Sequence, residues 1–265
     1  MTTKLEAFTT GDRRRFDKGS RRLEKVICKD CGTVQFLQND DYKSALDEVY
    51  GSYDILHDKA WPAEGSECRP RLRVVYEKVS QTICLPETGN MLDIGCGGGE
   101  SLQHFHQIYP KWNLYGMDIG EQFRENVLGR DKVHNFFSSL AEIKASKIKF
   151  DFITINDVLC LAYNSAEILR TVHELLEKDG IFFVKESDFD VNPYLLYEVE
   201  CCFFCTKQHI ESMIRNFDFD ILNVDFDMEK KAIGVFSRKS VMPKLLHVNS
   251  YEMNKRIYEK KIEYL

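Results

Sequence analysis

Short continuous apolar runs and stretches with helical apolar spacing alternate along the middle of the chain. Met91, Leu92 and Ile94 form the first run, which reads as a buried strand and breaks at Gly95, Gly97, Gly98 and Gly99. Glycines there permit positive φ and let backbone come close to a ligand. The spacing of Leu102, Phe105, Ile108 and Tyr109 predicts a helix from Glu100, closed by Pro110. A second strand, 113–119, carries Asp118 at its end. Residues 122–128 predict a short helix and 132–137 a third strand. The apolar and β-branched run 150–156 suits a central strand buried on both faces. Ile168, Leu169, Val172 and Leu176 give a helix over 166–176, stopped at Asp179-Gly180, and a fifth strand follows at 181–185. Residues 219–225 and 232–237 are expected as an antiparallel edge pair.

Upstream, residues 26–37 read as a hairpin with Cys28 and Cys31 flanking its turn. Residues 40–57 and 70–84 read as helices, the second with Leu72, Val75, Val79 and Ile83 on one face. The polar helix 251–264 has charges on most sides, which suits a solvated cap or a dimer contact.

A carboxylate at the end of a parallel strand beside a glycine turn can accept bonds from both ribose hydroxyls of a nucleoside. Asp118 holds that position, 25 residues after Asp93. A dinucleotide fingerprint requires a third glycine where this chain has Glu100. A carboxylate at a helix opening opposes pyrophosphate and tolerates a cation. S-adenosylmethionine (SAM) is cationic at sulfur and has no phosphate.

The segment from Asp93 to Gly99, DIGCGGG, together with Asp118, resembles motif I and the ribose-binding acid of the class I SAM-dependent methyltransferases. The resemblance implies an α/β, Rossmann-like, seven-stranded and mostly parallel sheet, with SAM as donor and S-adenosylhomocysteine (SAH) as product. It places donor contacts at Asp93, Gly95, Cys96, Gly97, Asp118 and Ile119. Ser139 stands where many relatives carry an acid for the adenine amino group, and Asn156 where the fold delivers the methyl group. It also divides the chain into an N-terminal arm, hairpin and helices over the active site (1–85), a SAM-binding core (86–240) and a C-terminal helix (241–265). Tyr50, Tyr53, Arg71 and Arg73 are candidates to overhang the donor. The two arginines diverge on a helix, so at most one faces the site.

The passage from Cys28 to Tyr53 further resembles the N-terminal module of bacterial methyltransferases encoded with deoxysugar and surface-polysaccharide genes. Their module completes a four-cysteine zinc site with an earlier cysteine pair. No cysteine precedes Cys28 here, so no metal is expected. Cys202 and Cys205 lie in an apolar stretch better read as core, and Cys68 and His57 are unsupported ligands. The resemblance implies a small acceptor, such as a sugar or phosphorylated sugar hydroxyl. A hydroxyl acceptor needs a base. The histidine usual among those sugar enzymes is absent at Cys160-Leu161. Asp157, His209 and Tyr163 are the candidates. Asp157 suits either a base or a turn cap, and His209 either a base or an exposed histidine on a first helical turn. Asp188 is weaker still.

Composition narrows the alternatives. The chain has 265 residues, 43% of them hydrophobic, which is enough to bury a large core. No apolar run reaches the roughly 18 residues of a membrane span. A polar N-terminus and nine cysteines in core-like segments suit reduced thiols in the cytoplasm. The basic residues between 13 and 25 read as a solvated arm or a patch for a polyanion, whereas a net charge of −6 speaks against general nucleic-acid binding. An RNA or protein acceptor, and a non-catalytic SAM-binding regulator, are the alternative functions. Oligomeric state is left open.

Overall fold

The computed structural model describes residues 8–9, 23–28, 32–51, 60–62, 68–192, 195, 200–225 and 232–240. Cys31, Tyr53, His57, the helix expected at 251–264 and most of the basic arm lie outside the described residues. For Tyr50 and Cys68 the backbone alone is described.

Strands β1 (Phe8–Thr9), β2 (Glu24–Ile27) and β3 (Val34–Phe36) open the chain. β2 and β3 form the expected antiparallel hairpin, with Val26 opposite Gln35. Gly32 N donates to Cys28 O at 2.7 Å across its turn. Helix α1 (Asp40–Gly51) starts where Asn39 Oδ1 accepts from Tyr42 N at 2.9 Å, the usual work of a side chain at a helix opening. Residues 52–57 of the expected helix lie outside the described residues. The pair β4 (Ala60–Pro62) and β5 (Cys68–Pro70) runs directly into α2 (Arg71–Thr82), which buries Val75, Tyr76 and Val79.

The core then runs β6 (Asn90–Ile94), α3 (Glu100–Ile108), β7 (Asn113–Met117), α4 (Arg124–Leu128), β8 (Val133–Phe137), α5 (Leu140–Ser146), β9 (Phe150–Asn156), α6 (Ser165–Leu175) and β10 (Leu176–Ser187). It finishes with β11 (Phe203–Phe204), α7 (Lys207–Asn216), β12 (Phe219–Asp225) and β13 (Ala232–Lys239). Seven strands form one sheet in the order β12-β13-β10-β9-β6-β7-β8, with β13 antiparallel to both its neighbours. This is the α/β, mostly parallel, Rossmann-like sheet that the motifs imply. One apolar layer packs Ile94, Ile153, Ile155, Leu169 and Val184 on one face, and another packs Phe105, Trp112, Leu114 and Phe152 on the other. The chain winds outward from β6 through β7 to β8, then crosses back to β9. A ligand crevice opens at such a reversal, beyond the strands' carboxyl ends.

Two expected boundaries are corrected. α6 ends at Leu175, within one residue of the expected 176, but the fifth strand begins at Leu176 and not at 181, because Leu176 already pairs with Phe150 at the start of β9. The short helix after β7 opens with a 3₁₀ turn, Glu121–Phe123, before α4.

The small N-terminal sheet takes its fourth strand from far along the chain. β11 pairs with β3, placing Phe203 opposite Gln35. Val34, Phe36 and Tyr42 pack with Cys160, Phe189, Cys202 and Phe204, so the hairpin is built onto the loops that follow β9 and β10. Phe36 stacks on Tyr42 with centroids 4.7 Å apart. Cys201, Cys202 and Cys205 are buried, as the apolar reading of their stretch requires.

Candidate active site

The glycine turn after β6 is left-handed at Gly95 (φ 81°), Gly97 (φ 49°) and Gly99 (φ 83°). Gly95 N and Cys96 N both donate to Met117 O, at 2.7 and 3.0 Å, which fastens the turn to the end of β7. A Cβ on Gly95 would stand 2.3 Å from a Val158 methyl, whereas one on Gly97 would meet nothing within 4 Å. Gly97 therefore presents bare backbone to open space, the feature of this turn that suits a ligand pressed against it. Cys96 turns the other way: its thiol is buried with Leu102 and Val127, and burial pushes its pKa well above the usual thiol range.

Asp118 lies beside this turn. Its Oδ2 accepts from Gly97 N at 2.9 Å and its Oδ1 from Gly120 N at 2.8 Å. Burial raises its pKa, against the pull of those two bonds. Each bond uses one lone pair, so both oxygens keep capacity for another donor. Ile119 is 67% exposed next to it, an apolar side chain suited to pack on a planar ring. Ser139 is occupied as the N-cap of α5: its Oγ accepts from Glu142 N at 3.2 Å, while Glu142 reaches back to Ser138 N at 2.9 Å.

Asp93 sits below the turn, not on it, and is 2% exposed. Its Oδ1 accepts from Thr154 Oγ1 at 2.6 Å and Asn156 Nδ2 at 3.4 Å. Tyr76 closes the network from α2, with its hydroxyl 2.5 Å from Ser101 Oγ and 3.3 Å from Thr154 Oγ1. Burial pushes the Asp93 carboxyl up to about 6 and raises the Tyr76 phenol, so the tyrosine keeps its proton.

Asn156 and Asp157 follow at the end of β9. Asp157 is left-handed (φ 52°), an uncommon conformation for a residue with a Cβ. Its Oδ2 pairs with Lys185 Nζ at 2.5 Å and with the Arg71 guanidinium, while its buried Oδ1 has no hydrogen-bond partner among the described residues. Of the two divergent arginines, Arg71 reaches this end of the sheet. Arg73 pairs instead with Glu77 along α2, at 3.0 Å.

The other candidate bases stand apart from that cluster. Tyr163 is 46% exposed beyond the 3₁₀ turn at Leu159–Leu161. His209 is not the exposed histidine expected. It is buried in the first turn of α7, where its Nδ1 accepts from Thr206 N at 3.3 Å and lies 3.0 Å from Thr206 Oγ1, completing a capping box. Among the described residues no group of three or more His, Cys, Asp or Glu side chains could hold a metal ion, and no helix is long and apolar enough to cross a membrane.

A family model described as a methyltransferase domain matches residues 67–224. The chain belongs to this methyltransferase domain family. Over 106 residues, covering 37% of the chain and 42% of the relative, it is 30% identical to an uncharacterized protein of Rickettsia prowazekii. Over 141 residues, 52% of the chain and 51% of the relative, it is 21% identical to the malonyl-[acyl-carrier protein] O-methyltransferase of Bacillus cereus. The chain thus spans about half the length, or less, of these curated relatives. The solved plantazolicin methyltransferase BpumL, in complex with a monoazolic desmethylPZN analog and SAH, shares the fold at a TM-score of 0.51 and 15% identity, over 64% of this chain and 82% of that one.

Within this methyltransferase domain, several site residues escaped the sequence reading. Thr154 stands two residues before the expected Asn156 in the largely apolar Phe150–Asn156, and a polar pair at period two signals that this end of the strand carries chemistry. Lys185 closes an apolar strand and sits opposite Asn156 in the β9–β10 ladder, a buried cation that requires an anion nearby. Tyr76 and Ser101 carry no local signal, since only the packing of α2 on α3 brings them to Asp93.

Proposed function

We propose that this methyltransferase moves a methyl group from SAM to a hydroxyl of a small polar acceptor, a sugar or a phosphorylated or nucleotide sugar used in surface-polysaccharide synthesis. The observation that carries the donor half is the open backbone face at Gly97, tied by its own N–H to the Asp118 carboxylate. In this reading Asp118 accepts from the ribose hydroxyls, Ile119 packs on the adenine, and Ser139 offers its hydroxyl hydrogen to the ring. The backbone from Gly95 to Gly97 cradles the amino-acid part, with Asn156 beside it. Asp93 supports the turn from below.

SAM, when bound, supplies a methyl group on a positively charged sulfur. What the chain must do is hold an acceptor oxygen in line and take its proton. Asp157 is our candidate for both tasks. Arg71 and Lys185 fix one of its oxygens and leave Oδ1 uncommitted. Tyr163 and His209 are the reserve candidates, His209 less favoured because its ring already caps α7. The small acceptor is supported by the N-terminal hairpin, which packs on the loops that follow β9 and β10, and the sugar by the resemblance of the Cys28–Tyr53 passage to polysaccharide methyltransferases.

Calorimetric titration with SAH tests the site model. Asp118→Ala is expected to abolish binding. Asp157→Asn, which keeps the side-chain shape and tolerates the left-handed backbone, is expected to bind SAH as the wild type does and to lose turnover. Full SAH binding by Asp118→Ala would overturn the donor assignment, and full turnover by Asp157→Asn would overturn the base.

A further inference from the structure

We propose that Arg130 is a positioning residue for the donor site: it staples the glycine turn to the β7–β8 connection that carries Asp118, and by offsetting Glu100 it holds down the preference for cationic SAM over neutral SAH. The inference rests on the donor reading above and adds a residue that neither motif contains. Arg130 lies just beyond α4, its backbone N donating to Val127 O at 3.1 Å. From there its Nε donates to Gly98 O at 2.7 Å, its second terminal nitrogen meets Glu100 Oε1 at 3.0 Å, and its first donates to Gln103 Oε1. One guanidinium thus spans the turn and the first helical turn after it, a use of the rigid five-donor fork that lysine cannot reproduce.

Two further observations fit this role. A Cβ on Gly99 would stand 2.8 Å from Arg130 Nε, so glycine at 99 serves the left-handed φ and also the passage of this side chain. The turn is fastened to the same connection twice, by Gly97 N on Asp118 Oδ2 and by Arg130 on Gly98 O. The backbone that would receive the donor is therefore fixed before binding, which lowers the ordering cost of association.

The charge follows from the same pair. The sequence reading gave Glu100 as a carboxylate suited to a cationic ligand, but the structure supplies its cation from within the chain. Both side chains are only about a fifth exposed, at 21% and 23%. With Glu100 offset in this way, the sulfur charge of SAM gains little from it. Removing either partner exposes the other's charge, and the two removals act in opposite directions.

The test is calorimetry with SAM and with SAH on the full chain, for wild type, Arg130→Met, Arg130→Lys and Glu100→Gln, with thermal denaturation confirming the fold. Arg130→Met is expected to weaken both ligands by about tenfold, the scale of a lost charged hydrogen bond, and to move the SAM-to-SAH affinity ratio toward SAM. Arg130→Lys is expected to restore the ratio while both affinities stay reduced. Glu100→Gln moves the ratio toward SAH. Wild-type affinities in Arg130→Met would overturn the staple, and ratios that move the same way in Arg130→Met and Glu100→Gln would overturn the charge argument. Should Arg130→Met fail to fold, Arg130→Lys and Glu100→Gln carry the same test. A wild type that binds neither ligand would overturn the donor reading itself, an outcome visible before any variant is compared.

Discussion

Thr154 donates its hydroxyl hydrogen to Asp93 Oδ1 at 2.6 Å, and the two residues stand opposite one another in the parallel ladder of β6 and β9. Ladder partners point to the same face, so the bond is a consequence of register. It lies at the strand-order reversal, and it couples the start of the glycine turn to the strand that ends in Asn156 and Asp157.

The buried Asp93 predicts a pH dependence. Its carboxyl is pushed up to about 6 by burial, so the folded chain binds this proton more tightly than the unfolded chain does. Its contribution is present below about pH 4 and lost as pH rises toward 6, and above that the ionised group costs about 3 kcal/mol. Asp93→Asn escapes this cost. We expect its Tm to exceed that of wild type at pH 7.5, with the gap closing at pH 4.5, while SAH binding weakens. A variant less stable than wild type at both pH values would refute this.

Gly95 and Gly97 share the left-handed conformation but differ in what surrounds them. Alanine at either position carries about 1–2 kcal/mol of backbone strain. At Gly95 the new methyl also collides with Val158. We expect Gly95→Ala to fail chiefly in thermal denaturation and Gly97→Ala chiefly in SAH titration, because its methyl enters the open face. Equal losses in both assays for both variants would contradict the assignment of that face.

Much of this was legible in the sequence. The glycine turn, Asp118 and the five parallel strands are local signals, made of runs and breaks that a single segment carries. The N-terminal hairpin was legible for the same reason. Its partner β11 was not, since two residues in an aromatic stretch carry no strand signal until β3 is placed beside them. The exposure of His209 was misjudged because a histidine after Thr206 reads as a surface residue unless its ring closes the cap. Tyr76 and Arg130 reach the site across 25 and 32 residues of sequence, and such distances leave no periodic trace.

His209 offers a check that separates capping from catalysis. If its ring serves α7, His209→Ala lowers stability by about 1 kcal/mol, or about 2–4 °C in Tm for a chain of this size. SAH binding and the pH profile of turnover would be unchanged. Loss of turnover with an unaltered Tm would make it a base instead.

The most direct test of the whole account is transfer of labelled methyl from SAM into a cell extract separated into a small-metabolite filtrate and a macromolecular fraction. We predict label in the filtrate, dependent on the protein and absent with Asp118→Ala, in a product whose added mass identifies the acceptor. Label confined to the large fraction and removed by nuclease or protease, or no transfer at all despite saturable SAM binding, would contradict it.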